Sequence, residues 1–212
     1  MEFPRFYPLL DTAVLDARGF SVVEAAETLL ETGAKVLQMR HKTAFSRAIF
    51  DVFDTVSRLC GEAGARFIVN DRADISFLFN AGVHVGQDDL PPGAVRKLLG
   101  DKGLIGFSTH NSVQFQAALA EPVDYLAFGP VFSTASKQNP DPVTGLAELQ
   151  QIQSLRDHRP LIAIGGITRG NARQVLAAGA DSLAVIGDLY PNPLNRKVLR
   201  ERAEEWLAVL HE

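Results

Sequence analysis

Short apolar runs alternate with longer stretches whose apolar residues recur at helical spacing. The short runs predict strands buried on both faces, because a strand inside a parallel sheet is apolar without alternation. These eight predicted strands cover residues 6–11, 35–37, 66–71, 83–87, 104–108, 124–129, 160–166 and 182–186. The amphipathic stretches predict helices over residues 22–31, 43–61, 73–80, 91–99, 146–157 and 193–210, the first of them capped by Ser21 in a capping box with Glu24. Two more helices are predicted, one capped by Ser112 and one that starts at Thr168 or Asn171.

Glycine follows several of the predicted helices and stands directly before the next strand. Gly33, Gly64, Gly82 and Gly179 all occupy such positions, which is typical of helix-to-strand loops. Eight strand–helix units in 212 residues predict a single-domain (β/α)8 TIM barrel over residues 1–212. An open doubly wound sheet is the alternative, but it would need an early glycine-rich phosphate turn, and none follows the first strand.

Composition narrows the classes of partner. The net charge of −4 argues against a nucleic-acid-binding surface, so an anionic ligand must be held by a local cluster of cations. The single cysteine, Cys60, excludes an intramolecular disulfide and fits a reducing compartment. With no apolar run long enough to span a bilayer and no signal segment, we expect a cytoplasmic protein that acts on small molecules, with no membrane partner. The sequence leaves open whether the chain forms a homo-oligomer.

A group of polar residues ends the second predicted strand. Because side chains alternate along a strand, Gln38, Arg40 and Lys42 share one face, whereas Met39 and His41 share the other. An amide and two cations on one face suit an anionic ligand. The alternative interpretation is that they are solvated residues at a strand exit.

The carboxyl ends of barrel strands carry the active site in this fold, which gathers scattered polar residues into one cluster. Asp71 and Asp89 on neighbouring strand ends are candidate ligands for Mg²⁺, which is commonly bound by carboxylates and phosphate oxygens. The cations and polar donors that would surround the remaining phosphate charge are Gln38, Arg40, Lys42, Asn70, Ser108 and Lys137. Helix capping is the alternative role for Asp71 and for Asp89.

Two other regions could contribute to the cluster. Glycine-rich turns at 165–168 and 186–188 would expose backbone N–H groups to a second anion, although 165–166 could equally be a tight turn. The carboxylates, cations and donors together predict a site for a diphosphate with its metal. Residues 130–145 form the longest connection and are predicted to be an active-site lid that brings Lys137 to this diphosphate when it closes. His84 lies inside an apolar run and is interpreted as a core histidine, whereas His110 at a strand end is more open.

Six segments in order resemble the thiamine phosphate synthase family, including its TenI-type relatives. They are Gln38-x-Arg40-x-Lys42, Asn70-Asp71, the segment 82–89 ending in Gln87-x-Asp89, Ile105-Gly106-x-Ser108-x-His110, the segment 129–137 with Thr134-x-Ser136-Lys137, and 163–167 with Gly165-Gly166. Each segment alone is weak, but six in order over residues 35 to 190 are specific.

The resemblance implies a barrel enzyme that joins a hydroxymethylpyrimidine diphosphate to a thiazole phosphate. It implies that the pyrimidine diphosphate is held by Gln38, Arg40, Lys42, Asn70, Ser108 and Lys137, and the Mg²⁺ by Asp71 and Asp89. It implies that the thiazole phosphate is held by Thr134, Ser136, Gly166, Ile186 and Gly187. The reaction implied by the resemblance requires stabilisation of a leaving diphosphate and little acid–base catalysis. The candidate catalytic residues are then Arg40, Lys42, Ser108 and Lys137.

The chain departs from the family pattern at three places. The first strand ends in Leu10-Asp11 where the family more often has Thr-Asp, Gly187 stands where a serine is common, and Ser136 replaces a usual threonine. Two other functions remain open. One is a TenI-type thiazole tautomerase with His110 as proton carrier, and the other is a catalytically silent barrel that binds a phosphate ligand.

Overall fold

The structure, a computed structural model, describes residues 3–134 and 141–211. Eight parallel strands, paired in sequence order with the last returning to the first, form a closed barrel. The strands are β1 Phe6–Asp11, β2 Val36–Arg40, β3 Arg66–Asn70, β4 Gly82–Val85, β5 Ile105–Thr109, β6 Tyr125–Phe128, β7 Leu161–Ile164 and β8 Ser182–Val185. The predicted TIM barrel is therefore confirmed.

Helices follow the strands and cover the outside of the barrel. They are α1 Thr12–Ala17, α2 Val22–Glu31, α3 Arg47–Glu62, α4 Ala73–Leu78, α5 Pro92–Leu99, α6 Ser112–Ala118, α7 Gly145–Leu155, α8 Ala172–Ala177 and α9 Arg196–His211. Not one of these helices combines the length and apolarity that crossing a bilayer requires.

Two apolar layers follow from the alternation of side chains along each strand. The inner layer, inside the barrel, includes Leu9, Ile68 and Ile162. The outer layer lies between strands and helices and includes Leu10 and Met39. Successive residues of one strand therefore belong to different layers. Inward-facing residues near the carboxyl ends of the strands lie above the inner apolar layer, at the mouth of the barrel.

Several predicted boundaries are wrong, each because a different side chain caps the helix. Asp11 does more than end the first strand: its carboxylate accepts the backbone N–H of Val14 and begins the unpredicted helix α1. Ser46 caps α3, which therefore begins four residues later than predicted from residue 43. Asn111, rather than Ser112, accepts the backbone N–H of Gln114 and caps α6. By contrast, the predicted cap of α2 at Ser21 is confirmed.

Candidate active site

The polar residues of β2 enter the barrel as the alternation predicts. Gln38 is buried, and its Nε2 donates to the hydroxyl of Tyr7 at 2.7 Å. Arg40 lies opposite Asp11 in the β1–β2 register, and its guanidinium donates to that carboxylate at 2.5 Å. Because the Asp11 side chain is only 2% exposed, the ion pair holds Arg40 in place at the mouth of the barrel.

Lys42 leaves the end of β2 and contacts the carboxylate of Asp71. Asp71 has a left-handed backbone with φ of 64°, which directs the chain away from β3. Burial raises the pKa of Asp71 above its usual range, Lys42 opposes that rise, and the nearby Asp89 carboxylate adds to it. The two carboxylates are therefore close enough to repel each other, and a cation between them would relieve this repulsion.

Neither carboxylate of this pair caps a helix, so the capping alternative is wrong for both. The residue at the cap position of α4 is Arg72, which binds Asp74, and that of α5 is Pro91; neither makes a side-chain cap. Asp89 instead accepts the backbone N–H of Gly86 at 2.7 Å through Oδ2. The described part of the chain holds no group of three or more His, Cys, Asp or Glu side chains placed to bind a metal.

Asn70 occupies the last position of β3, with its side chain largely buried. Its Nδ2 is fully buried and has no hydrogen-bond partner among residues 3–134 and 141–211. A buried amide without a partner costs stability, so such donors are rare unless a ligand satisfies them. The Asn70 amide is therefore a candidate donor to a ligand bound at the barrel mouth.

Ser108 on β5 is held by two neighbours from β4 and the loop after it. His84 Nε2 lies 2.8 Å from Ser108 Oγ, and Gln87 donates to the backbone carbonyl of Ser108 at 2.6 Å. His84 is buried as predicted for a core histidine, and burial lowers its pKa to about 4. The ring is therefore neutral near pH 7, with both nitrogens hydrogen-bonded.

The turns after β7 and β8 are formed by backbone rather than by charged side chains. Gly165 and Gly166 have φ of 98° and 63°, and a Cβ on Gly166 would lie 2.4 Å from the carbonyl oxygen of Ser133. Asn171 closes the turn by donating to Gly166 O and accepting from Thr168 N. The turn is therefore tight, which was one of the two predictions for Gly165 and Gly166. What these two glycines can offer to a ligand is their backbone.

Asp188 follows Ile186 and Gly187 after β8, where a carboxylate would repel an anion. Its carboxylate accepts from Arg169 at 2.9 Å and lies 3.6 Å from Arg202 of α9. The two guanidinium groups compensate its charge outside the barrel mouth. The turn 186–188 therefore carries no uncompensated negative charge toward a ligand.

The long connection after β6 is anchored at both of its described ends. Thr144 N donates to Pro130 O at 2.9 Å, and Phe132 N donates to Gly165 O at 3.0 Å. Thr134 is described at the start of the connection, whereas Ser136 and Lys137 lie outside the described residues. Their assignment to the site, and the role of the connection as a lid, stay predictions.

His110 lies just beyond β5, and its ring is anchored. Its Nδ1 lies 2.6 Å from the carbonyl oxygen of Gly129, so this nitrogen carries a proton and donates. Asp141 Oδ2 lies 3.6 Å from the same nitrogen. With Nδ1 donating to Gly129, Nε2 is the ring nitrogen through which His110 could exchange a proton with a ligand.

The sequence interpretation missed three residues that support the site: Tyr7, Asp11 and Tyr125. Tyr7 and Tyr125 belong to the inner layer, and their hydroxyl groups are 3.0 Å apart inside the barrel. Period-two alternation along β1 and β6 places both rings inward, but each strand is a continuous apolar run in which no polar residue marks the inner face. The Asp11–Arg40 pair depends on strand register, for which the sequence carries no local signal.

Comparisons with known proteins agree on one family. A family model described as thiamine monophosphate synthase matches residues 7–189. The chain is 42% identical to the thiamine-phosphate synthase of Koribacter versatilis over 214 aligned residues, which cover 100% of this chain and 98% of that protein. It is 41% identical to the thiamine-phosphate synthase of Chlorobium phaeobacteroides over 82% of this chain and 84% of that protein. Among solved structures, thiamine phosphate pyrophosphorylase from Pyrococcus furiosus superposes with a TM-score of 0.84 at 31% identity, covering 98% of this chain and 95% of that one.

Proposed function

The chain belongs to the thiamine monophosphate synthase family, and we propose that it is a thiamine-phosphate synthase, a transferase acting on two small molecules. It joins 4-amino-2-methyl-5-hydroxymethylpyrimidine diphosphate to thiazole phosphate and releases diphosphate. The observation that carries the proposal is the meeting of Arg40, Lys42, Asn70 and a carboxylate pair at one barrel mouth. These groups supply charge, an unpartnered donor and a cation site to a diphosphate.

The wall formed by β2, β3 and β5 binds the pyrimidine diphosphate. Arg40 and Lys42 offer cationic donors, and both are held by carboxylates so that they are in place before the ligand arrives. Asn70 Nδ2 and the hydroxyl of Ser108 add neutral donors. Gln38, deeper in the barrel, contributes its amide to the pyrimidine end of the substrate, and Lys137 completes the set from the connection after β6.

Asp71 and Asp89 suit a Mg²⁺ ion bound between the protein and the diphosphate. Lys42 contacts Asp71 and the backbone N–H of Gly86 is donated to Asp89, in each case at Oδ2, and a carboxylate can bind a cation through either of its two oxygens. The like-charge repulsion that raises the pKa of Asp71 also favours a cation here. Mg²⁺ would neutralise charge on the leaving diphosphate.

The turns after β7 and β8 bind the thiazole phosphate. Gly166 allows the ligand to approach the backbone, and Ile186 and Gly187 continue that surface after β8. Thr134 and Ser136 add hydroxyl groups from the connection after β6. Asp188 does not oppose the phosphate, because Arg169 and Arg202 compensate its charge.

The wall formed by β2, β3 and β5 and the second wall, formed by the turns after β7 and β8, together suit a dissociative reaction. The bond between the pyrimidine methylene carbon and the diphosphate oxygen breaks, and the oxygen keeps the electron pair. The resulting cation is stabilised by the pyrimidine ring, and the thiazole nitrogen then donates its lone pair to form the new C–N bond. The protein contributes leaving-group stabilisation and orientation of two reactants.

The cellular location is a further part of this proposal. Cys60, the single cysteine of the chain, is buried among core residues, and burial raises the pKa of its thiol to about 12. A chain that needs no disulfide and keeps its thiol protonated suits the reducing cytoplasm.

The proposal is tested by incubating the purified protein with both substrates and Mg²⁺. We expect stoichiometric release of diphosphate and formation of thiamine phosphate, with loss of both when EDTA removes the metal. A protein that isomerises the thiazole phosphate and makes no thiamine phosphate would contradict the synthase proposal and favour the tautomerase. Binding of phosphate ligands without turnover of either kind would favour the silent barrel.

A further inference from the structure

Five polar side chains form one continuous hydrogen-bonded row through the interior of the barrel. Gln38 Nε2 lies 2.7 Å from Tyr7 Oη, which lies 3.0 Å from Tyr125 Oη. The Tyr125 hydroxyl lies 3.0 Å from His84 Nδ1, and His84 Nε2 lies 2.8 Å from Ser108 Oγ. The row therefore connects β2 with β5 and ends on a residue assigned to the diphosphate.

The row is rigid and sealed from water along most of its length. Tyr7 and Tyr125 are 1% and 0% exposed, and the Phe3 ring covers both from the amino end of the barrel. The Tyr125 ring occupies the space over Gly106, where an added Cβ would lie 2.0 Å from its Cζ. The His84 ring stacks on Tyr125 at 5.5 Å between centroids. The order of the five groups is therefore set by packing.

The direction of donation along the row follows from one rule: each buried hydroxyl proton needs an acceptor. Gln38 donates to Tyr7, so the Tyr7 hydroxyl keeps its own proton for its other hydrogen-bond partner among the described residues, the Tyr125 hydroxyl. The Tyr125 hydroxyl, having accepted from Tyr7, donates to His84 Nδ1. A neutral imidazole has one N–H, so the His84 proton is on Nε2 and is donated to Ser108 Oγ.

This direction decides what Ser108 presents to a ligand. Because Ser108 accepts from His84, its own hydroxyl proton is free to be donated into the barrel mouth. If the row ran the opposite way, Ser108 would donate to His84 and turn only lone pairs toward an oxyanion. The same side chain would then repel the group that it is assigned to bind.

We propose that His84, oriented by the Tyr7–Tyr125 pair, is a positioning residue that keeps Ser108 a hydrogen-bond donor to the substrate diphosphate. His84 does not touch the diphosphate and acts only through Ser108. This inference rests on the proposed function for the identity of the ligand. The tautomer of His84 does not, because it is a property of the free protein.

The tautomer is measured first, by ¹⁵N NMR of histidine side chains in the free protein at pH 7.5. The His84 signals are assigned from their loss in His84→Gln. We expect protonated Nε2 and unprotonated Nδ1. A His84 ring protonated on Nδ1 would overturn the proposal, whatever the enzyme catalyses, whereas failure of the two-substrate assay would overturn only the proposed function.

A double-mutant cycle then tests whether Tyr125 acts through Ser108. Calorimetry with inorganic diphosphate and Mg²⁺ gives dissociation constants for wild type, Tyr125→Phe, Ser108→Ala and the double variant. We expect Tyr125→Phe to weaken binding roughly tenfold in the wild-type background and less than twofold when Ser108 is already alanine. Equal losses in both backgrounds would overturn the proposed coupling.

Tyr190→Phe is the matched control for this cycle. Tyr190 is as buried as Tyr125, and its hydroxyl donates to the backbone carbonyl of Leu9 at 3.0 Å, outside the row. We expect the control to lose stability as Tyr125→Phe does but to bind diphosphate like wild type. A control that weakens binding as much as Tyr125→Phe would mean that a general loss of packing explains both, and would contradict the positioning role.

Discussion

The two walls of the barrel mouth differ in the groups that they present to a ligand, which are side chains on one wall and backbone on the other. The wall of β2, β3 and β5 presents side chains such as Arg40, Lys42 and Asn70, and its cations are already paired with carboxylates. The wall after β7 and β8 presents glycine backbone, and its nearby carboxylate, Asp188, is compensated by arginines. A substitution that removes a side chain should therefore damage the first wall, whereas the glycine turns of the second wall should be damaged by a substitution that adds one.

The largest expected effect is on the carboxylate pair of the first wall. Asp89→Asn keeps the shape of the side chain but removes half of the proposed cation site. We expect turnover to fall roughly 100-fold or more, since a metal ion supplies several kcal/mol of charge stabilisation to a leaving group. The measurement is diphosphate release at increasing Mg²⁺ concentration.

Asp88→Asn is the matched control for this change. Asp88 is the exposed neighbour of Asp89 and carries the same charge. We expect its Mg²⁺ dependence to be that of wild type. Equal losses in the two variants, or unchanged rates of Asp89→Asn in EDTA, would remove the metal assignment.

Adding a methyl group at Gly166 should weaken the binding of thiazole phosphate to the second wall. In Gly166→Ala the added Cβ would meet Ser133 O at 2.4 Å, and alanine would have to adopt φ of 63°. We expect the KM for thiazole phosphate to rise roughly 30-fold as the turn is displaced, with a strain of about 1–3 kcal/mol. The KM for the pyrimidine diphosphate should change much less.

Gly170→Ala controls for a methyl group in the same turn. The nearest atom to its added Cβ is Thr168 Oγ1 at 3.7 Å, an ordinary contact. Its two KM values should match those of wild type. If Gly166→Ala raised both KM values equally, the division of the site into two walls would be wrong.

Asn70→Leu should separate binding from stability on the first wall. The Asn70 Nδ2 is buried without a partner in the described structure, so replacing the amide by an apolar group of similar shape removes an unsatisfied donor. We expect the free energy of unfolding to stay within about 1 kcal/mol of wild type, while the KM for pyrimidine diphosphate rises about tenfold. A strongly destabilised variant with wild-type KM would show that Asn70 has a structural role.

The smallest expected effect is a gain on the second wall. The family resemblance predicts a serine at the position of Gly187, so Gly187→Ser would add a hydroxyl donor for the thiazole phosphate. We expect the KM for thiazole phosphate to fall about threefold, which matches the lower part of the range for one net hydrogen bond. An increased KM would show that this turn does not face the phosphate.

The comparison of the two walls also explains what the sequence could predict. Gln38, Arg40 and Lys42 were found because alternation along a strand decides which side chains share a face. The TIM barrel followed from the repeated strand–helix pattern. By contrast, the partners Asp11 and Asp71 depend on contacts between residues 29 positions apart.

The helix caps and the hydrogen-bonded row inside the barrel were also beyond what the sequence alone could predict. Asp11, Ser46 and Asn111 cap helices that were predicted at other positions or not at all, because several Asp, Ser and Asn residues near each boundary were equally suited. Tyr7 and Tyr125 meet only when the barrel closes and brings β1 and β6 face to face. Because such contacts arise only in the tertiary structure, no local sequence pattern predicts them.

The most direct test of the two-wall account is a crystal structure of the protein with Mg²⁺, diphosphate and thiamine phosphate. We expect the diphosphate at Arg40, Lys42, Asn70 and Ser108, with the metal on Asp71 and Asp89, and the phosphate of thiamine phosphate at the Gly166 turn. A diphosphate bound at the Gly166 turn, or a metal bound away from both carboxylates, would contradict the account.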